Sequence, residues 1–379
     1  MPRLVTGRNV FDEALARLCD LMGEGHRLVC AFSGGKDSTI VLELSLLAAQ
    51  LTGYGPLDVV MRDDEIMYPG TFEYAERVAA RDEVRFHWLV MGQPCTNVYN
   101  RESPYWWVFD ERLEPSAWVR EPPTWATWLR HENSIDRMVV PERFPPPPER
   151  DLFSVMGLRG SESRARLCSI FNAKGAATKP NKYGVRNFRP IYDFEDSDVW
   201  RAIAENKWDY NRCYDVFARM GIRRDKLRVA PPLMKADLLL PIAAKAWPQW
   251  FERVARRCPG ARTGAQFGKL ASQPVRRLGE TWRECFQRVC IDEAPAWVAE
   301  RARVMGAAVI KRHSNHAAHP LPDVKPCTSC SGATGSWKKL CFAMYDGDPF
   351  ASKSAGIIKY VEPEFFRQGA GTWNGAPAW

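Results

Sequence analysis

The sequence has no apolar run long enough to span a membrane, and no charged-then-apolar leader opens it. A membrane-embedded or exported protein is therefore not expected. It has no convincing internal repeat, which argues against a repeat array. It also lacks a heavy excess of one charge. The net +8 suits an anionic substrate or a nucleic acid, and equally an unpatterned basic surface. Its eleven cysteines are an odd number, scattered through apparent strands and helices. Without an export signal they are expected to be reduced, in a cytoplasmic protein. What is there is ordinary for a globular chain: 379 residues, 45% hydrophobic and 26% charged. That is enough for a large core in one large or two domains. Fifteen tryptophans suggest aromatic packing or flat binding surfaces.

The sharpest signal is Ser33-Gly34-Gly35-Lys36-Asp37-Ser38, between the apolar run Leu28 to Phe32 and a helical run from Thr39 to Leu51. A strand, a glycine turn and a helix start together make a geometry that holds phosphate. Two glycines let the backbone approach an anion, and the N–H groups at a helix start favour negative charge. Ser33 and Ser38 add hydroxyls and Lys36 a cation. Asp37 beside a phosphate needs a reason, either as a helix cap or as a ligand of Mg²⁺. The spacing is not that of the Walker A loop. The bland alternative is a Gly-Gly turn between two core elements.

A helix is predicted over 9–22 and a strand over 26–32, before the loop and its helix. A second strand covers 57–61 and runs into Arg62-Asp63-Asp64-Glu65. A helix over 71–82 and a strand over 84–91 follow. This rhythm argues for an α/β fold with a doubly wound parallel sheet. Ligands of such sheets bind beyond the strands' carboxyl ends, where both the loop and Asp63-Asp64 fall. The acidic pair could hold Mg²⁺ or a ribose hydroxyl, or be a solvated turn.

Residues 92–150 break the rhythm, with Trp106, Trp107, Trp118, Trp125, Trp128 and a proline run from Pro145 to Pro148. They read as an insertion or lid whose tryptophans pack locally or stack bases, packing being favoured. The sheet resumes at 152–156 and ends in Gly157-Leu158-Arg159-Gly160-Ser161-Glu162-Ser163-Arg164-Ala165-Arg166. Arginines clustered at a strand's carboxyl end suit phosphate or sulfate. A helix is predicted from Asp193 to Ile203, with Asp196 or Ser197 near its cap. Residues 233–310 read as mostly helical. The division expected is a nucleotide-binding domain over 1–232, including the insertion, and a helical accessory region over 233–379.

These motifs resemble the pyrophosphate loop of the adenine-nucleotide α-hydrolase superfamily. In their order they resemble its phosphoadenosine phosphosulfate (PAPS) reductase family. The motifs are Ser33–Ser38; Asp63-Asp64 with Thr71; Gly157-Leu158-Arg159 with Glu162, Ser163 and Arg166; and Pro190-Ile191-Tyr192-Asp193 with Asp198-Val199-Trp200. Trp118-Val119-Arg120, Tyr210-Asn211 with Tyr214, and Ser336-Trp337-Lys338-Lys339 with Cys341 are most similar to the family's prophage-associated co-activator branch. The resemblance implies that Ser33, Gly34, Gly35, Asp37 and Ser38 hold nucleotide phosphates. It also implies that Gly157, Arg159 and Arg166, with Glu162 nearby, lie at the phosphate or sulfate end. The Glu-Cys-Gly-type motif of the sulfite-forming reductases is absent, as is the double-cysteine pattern of their adenylyl-sulfate relatives. An ATP pyrophosphatase-type adenylation is the activity expected, with Lys36, Asp37, Arg159 and Mg²⁺ as its machinery and sulfur transfer or nucleic-acid modification as its setting. The alternatives are a nucleotide-binding regulator that partners a protein or nucleic acid without turnover, and a PAPS reductase using Cys168, Cys327 or Cys330. A homodimer is compatible with either.

A second chemical signal lies late in the chain. Cys327-Thr328-Ser329-Cys330 is a single Cys-x₂-Cys, followed by Cys341 and preceded by His313, His316 and His319. Cys327, Cys330, Cys341 and His319 would complete a tetrahedral Zn²⁺ site. Three thiolates could instead hold a 4Fe–4S cluster, and two could form a redox dithiol. Three unrelated cysteines are the plain alternative.

Overall fold

The computed structural model describes residues 7–129, 137–234, 239–329 and 335–359. The chain divides into two compact units, residues 1–91 with 122–230, and residues 92–121 with 231–379.

The first unit is built on a six-stranded sheet. Its strands are β1 (Arg27–Ala31), β2 (Leu57–Asp63), β3 (Val84–Val90), β6 (Thr127–Trp128), β7 (Leu152–Met156) and β8 (Val185–Phe188), in the order β6-β3-β2-β1-β7-β8. Every neighbouring pair is parallel, and Cys30 of β1 is in register with Val59 of β2 and Val155 of β7. Leu28, Val29 and Cys30 are fully buried. Consecutive apolar residues suit a parallel strand covered on both faces. The first unit's helices are α1 (Val10–Gly23), α2 (Lys36–Thr52), α3 (Thr71–Ala79), α4 (Arg164–Ala173), α5 (Asp196–Asn206) and α6 (Cys213–Arg219). α1 packs on α2, whose residues from Thr39 to Leu46 are buried all round. From β1 the chain goes to β2 and β3 on one side, then returns to β7 and β8 on the other. The reversal of strand order therefore falls between β1 and β7, the position beyond whose carboxyl ends ligands of such sheets commonly bind.

The strands read from the sequence are present within a residue or two. Three helices differ in their bounds, and one of them, α5, spans Asp196–Asn206 rather than Asp193 to Ile203. α2 begins at Lys36 rather than Thr39, so Lys36, Asp37 and Ser38 form its first turn. α3 stops at Ala79. α4 occupies part of the arginine-rich turn, where no helix is predicted; all its residues but Ile170 have some exposure, so no apolar stripe announces it. β8 is also silent in sequence because Arg186 and Asn187 interrupt its buried ends.

In the second unit β4 (Pro94–Thr96) and β5 (Tyr105–Trp107) form an antiparallel hairpin, with Cys95 opposite Trp106. Its helices are α7 (Leu239–Ala246), α8 (Pro248–Arg257), α9 (Ala261–Phe267), α10 (Trp282–Gln287), α11 (Ala296–Ser314) and α12 (Trp337–Met344). Phe286, Val289, Met305, Val309, Leu340 and Met344 meet in its core. The hairpin is bonded to this C-terminal region. Val98 N–H donates to the Leu233 carbonyl (3.1 Å), Asn97 Nδ2 to Pro259 O (2.8 Å), Arg101 Nε to Tyr345 O (2.8 Å) and the Arg257 guanidinium to Trp107 O. The stretch 92–150, one insertion by sequence, thus divides at residues 121 and 122. Its tryptophans divide too. Trp106 and Trp107 are buried in the second unit, whereas Trp125 is half exposed in the first, edge-on to Trp88. No helix among the described residues is long and apolar enough to cross a membrane.

Candidate functional site

Residues Ser33 to Ser38 join β1 to α2 at this reversal. Gly34 adopts φ +70°, and a Cβ there would lie 2.8 Å from Thr71 Cγ2. The turn therefore needs glycine. Asn211, fully buried, fastens it by donating from Nδ2 to Gly34 O (3.1 Å) and Thr71 Oγ1 (2.9 Å). Ser33 N–H donates to Ser38 Oγ (3.3 Å), and Ser38 Oγ donates to Gly35 O (2.8 Å). Gly35 is the N-cap of α2 and supplies no side-chain cap. The first N–H of the helix, that of Lys36, instead donates to the Tyr214 hydroxyl (2.9 Å). Burial pushes the Tyr214 phenol well above its ordinary pKa, so it stays neutral.

The loop after β7 comes in against this helix start. A Cβ on Gly157 would be 2.6 Å from the Asp37 carbonyl carbon and 2.8 Å from Ser38 N. The two backbones touch because Gly157 has no side chain to come between them. Arg159 follows two residues on, buried, with Nε 2.6 Å from Asp37 Oδ1. Lys36, also buried, places Nζ 3.2 Å from Asp37 Oδ2 and 3.4 Å from Asp196 Oδ1. Asp196, in the first turn of α5, lies 3.7 Å from both Arg159 Nη2 and Arg224 Nε. Three cations and two carboxylates therefore converge at the helix start. Glu162 and Arg166 form an ion pair one helical turn apart, and Glu162 Oε2 also accepts from Arg159 N–H (3.4 Å). Burial lowers the Arg166 pKa, Asp37 opposes that, and Arg159 adds to it.

Of the sequence candidates, Ser33 to Ser38, Gly157, Arg159, Glu162 and Arg166 therefore lie around this one helix start. Asp63 and Asp64 have partners of their own. The buried Asp63 carboxylate accepts from Trp88 Nε1 (2.8 Å) and Glu65 N–H (2.9 Å), while Asp64 pairs with Arg62 (2.7 Å). Four site residues carried no assigned site role in the sequence: Asp196, read only as a helix cap, Asn211 and Tyr214, visible only as parts of a motif, and Arg224. Their signal was their position after the Pro190 to Asp193 stretch. Cys168 is an exposed thiol on α4.

The late cysteines do not gather as the sequence predicts. Cys341 lies buried on α12 with its sulfur 4.0 Å from those of Cys285 and Cys290. Cys341 falls on α12's buried side, and this draws it into the unit's core. Cys327 and His319 instead meet His313, one ligand atom from each lying within 4.8 Å of the others. Cys330 lies outside the described residues.

No protein-family model matches the chain. The uncharacterized protein YbdN of Escherichia coli K12 is 24% identical over 244 residues, 59% of this chain and 59% of that one. The chain thus spans about three-fifths of the length of this curated relative. Among solved structures, FMN adenylyltransferase of Candida glabrata is similar over 55% of this chain and 58% of its own, with 12% identity and a TM-score of 0.36. The PAPS reductase of Candida auris is similar over 57% and 94%, with 15% identity and a TM-score of 0.30. Yeast FAD synthetase is similar over 56% and 65%, with 11% identity and a TM-score of 0.32.

Proposed function

We propose that the chain binds an adenine nucleotide, ATP or PAPS, with its phosphates at the start of α2, and that it uses ATP to adenylate an acceptor. The observation that carries this reading is the convergence of Lys36, Arg159, Asp37 and Asp196 at a helix N-terminus beyond the carboxyl ends of β1 and β7. Helix-start N–H groups and two buried cations suit phosphate oxygens. Phosphate would take over as the partner of Lys36 and Arg159. That would release Asp37 and Asp196 as oxygen ligands for Mg²⁺. The acceptor's nucleophile attacks the α-phosphorus, the bond from that phosphorus to its bridging oxygen breaks, and pyrophosphate leaves. Lys36 and Arg159 stabilise the charge that develops, and an Mg²⁺ held by Asp37 and Asp196 would supply further positive charge there.

The test is anaerobic incubation of the full chain with Mg²⁺ and labelled ATP or PAPS, followed by product separation. AMP or an adenylated product with pyrophosphate is expected from ATP. Asp37→Ala and Arg159→Ala should each lower its rate by about 100-fold or more. Turnover untouched by both substitutions would remove this site from the chemistry. Bound but unchanged nucleotide would point to a regulator, and sulfite from PAPS to a reductase.

A further inference from the structure

The second unit carries a cluster that the nucleotide reaction does not use. His313 is in the last turn of α11 and 3% exposed. Its Nε2 lies 2.8 Å from the backbone carbonyl of His319. His319 in turn places Nδ1 2.9 Å from the carbonyl of Pro320. A carbonyl only accepts, so both of these nitrogens carry the proton. The lone pairs therefore sit on His313 Nδ1 and His319 Nε2. His319 Nε2 is 3.7 Å from Cys327 Sγ, and one ring nitrogen of each histidine lies with that sulfur inside 4.8 Å. Imidazoles whose far N–H is held by a backbone carbonyl are the form in which histidine ligates metals.

The frame around Cys327 is fixed as well. Cys327 N–H donates to Gly335 O (2.9 Å), Trp337 N–H to Pro322 O (2.9 Å) and Lys338 N–H to Asp323 O (2.9 Å). These bonds hold the thiol's segment against the start of α12. Tetrahedral zinc with nitrogen at about 2.0 Å and sulfur at about 2.3 Å sets its ligand atoms about 3.3–3.8 Å apart. His319 Nε2 and Cys327 Sγ, 3.7 Å apart, already have that spacing, and the remaining separations, all within 4.8 Å, reach it by a contraction of about 1.5 Å or less.

We propose that His313, His319 and Cys327 bind a Zn²⁺ ion that ties the end of α11 to the segment before α12. Two imidazoles and one thiolate favour zinc over an iron–sulfur cluster, which takes its ligands mainly from thiolates. The Cys285, Cys290 and Cys341 sulfurs lie in the apolar core and are not part of the site.

The experiment strips the full-length protein with a chelator, confirms by circular dichroism that it is folded, and titrates it with Co²⁺ and then Zn²⁺. One equivalent of cobalt should give a tetrahedral spectrum with a thiolate charge-transfer band, and zinc should displace it. Cys327→Ser should abolish the band. His319→Ala and His313→Ala should each weaken binding by about 10-fold or more, with His313→Cys restoring it. Cys341→Ser should leave spectrum and affinity unchanged. The absence of a cobalt spectrum in the unaltered chain would overturn the proposal. So would a band that survives Cys327→Ser, or one lost only with Cys341→Ser.

Discussion

Tyr214 holds the first N–H of α2 in a place where side-chain capping is absent. Tyr214→Phe keeps the ring, which packs edge-on to Trp200 at 5.3 Å, but takes away the acceptor. Leaving that buried N–H unpaired should cost about 1–3 kcal/mol. Urea unfolding of the two proteins reads this directly, and equal stability would mean that the hydroxyl does not hold the turn. A different residue sets an acid limit. Glu280 takes Arg288 in a fork (2.7 and 2.8 Å) and accepts Arg277 N–H (2.8 Å). Chiefly through Arg288, its pKa is held down from 4.5 to about 2. A carboxylate lowered by folding adds stability above its unfolded pKa and loses it as pH falls towards the folded one. The stability advantage of the parent over Glu280→Gln should therefore be level above pH 4.5 and shrink towards about 2. Melting both across that range checks this; a gap that does not change with pH would refute it.

α2 and the loop after β7 meet backbone to backbone, so the element contact depends on Gly157. In Gly157→Ala the new methyl meets the peptide of Asp37, which cannot rotate aside. A loss of about 1–3 kcal/mol, with weakened nucleotide binding, is expected. Gly55→Ala is the control, since a Cβ there meets nothing within 4 Å. Calorimetric titration and melting would show it, and a Gly157→Ala protein matching that control on both counts would sink the argument. At this scale much was legible in the sequence. Apolar runs such as Leu28 to Phe32 mark β1 because its two faces are covered, and the Gly34-Gly35 pair marks the tight turn into α2. α4 and β8 were illegible because exposure in one and polar residues in the other erase the periodicity. The pairing of Asp37 with Arg159 spans 122 positions, and no local pattern records it. Cys341 misled because chain proximity to Cys327 says nothing about which side of α12 a thiol takes.

The whole chain interleaves its two units, crossing between them after residues 91, 121 and 230. A fragment ending at residue 230 keeps the hairpin of β4 and β5 but loses every bond that hairpin makes to later residues. Trp106 and Trp107, 4% and 7% exposed in the full chain, would lose that cover. Such a fragment should bind a hydrophobic dye and aggregate. One with 92–121 replaced by a short Gly-Ser linker should stay monomeric, as sedimentation would show. Indistinguishable behaviour of the two fragments would refute this reading of the interleaving. The same arrangement imposes a waiting time during synthesis. Asn97 bonds a residue made 162 positions later and Arg101 one made 244 positions later. At about 5–20 residues per second, the hairpin is out roughly 8–50 s before those partners exist. Throughout that interval two tryptophans lack the later residues that cover them, so the yield of folded protein should depend on the pace of the ribosome.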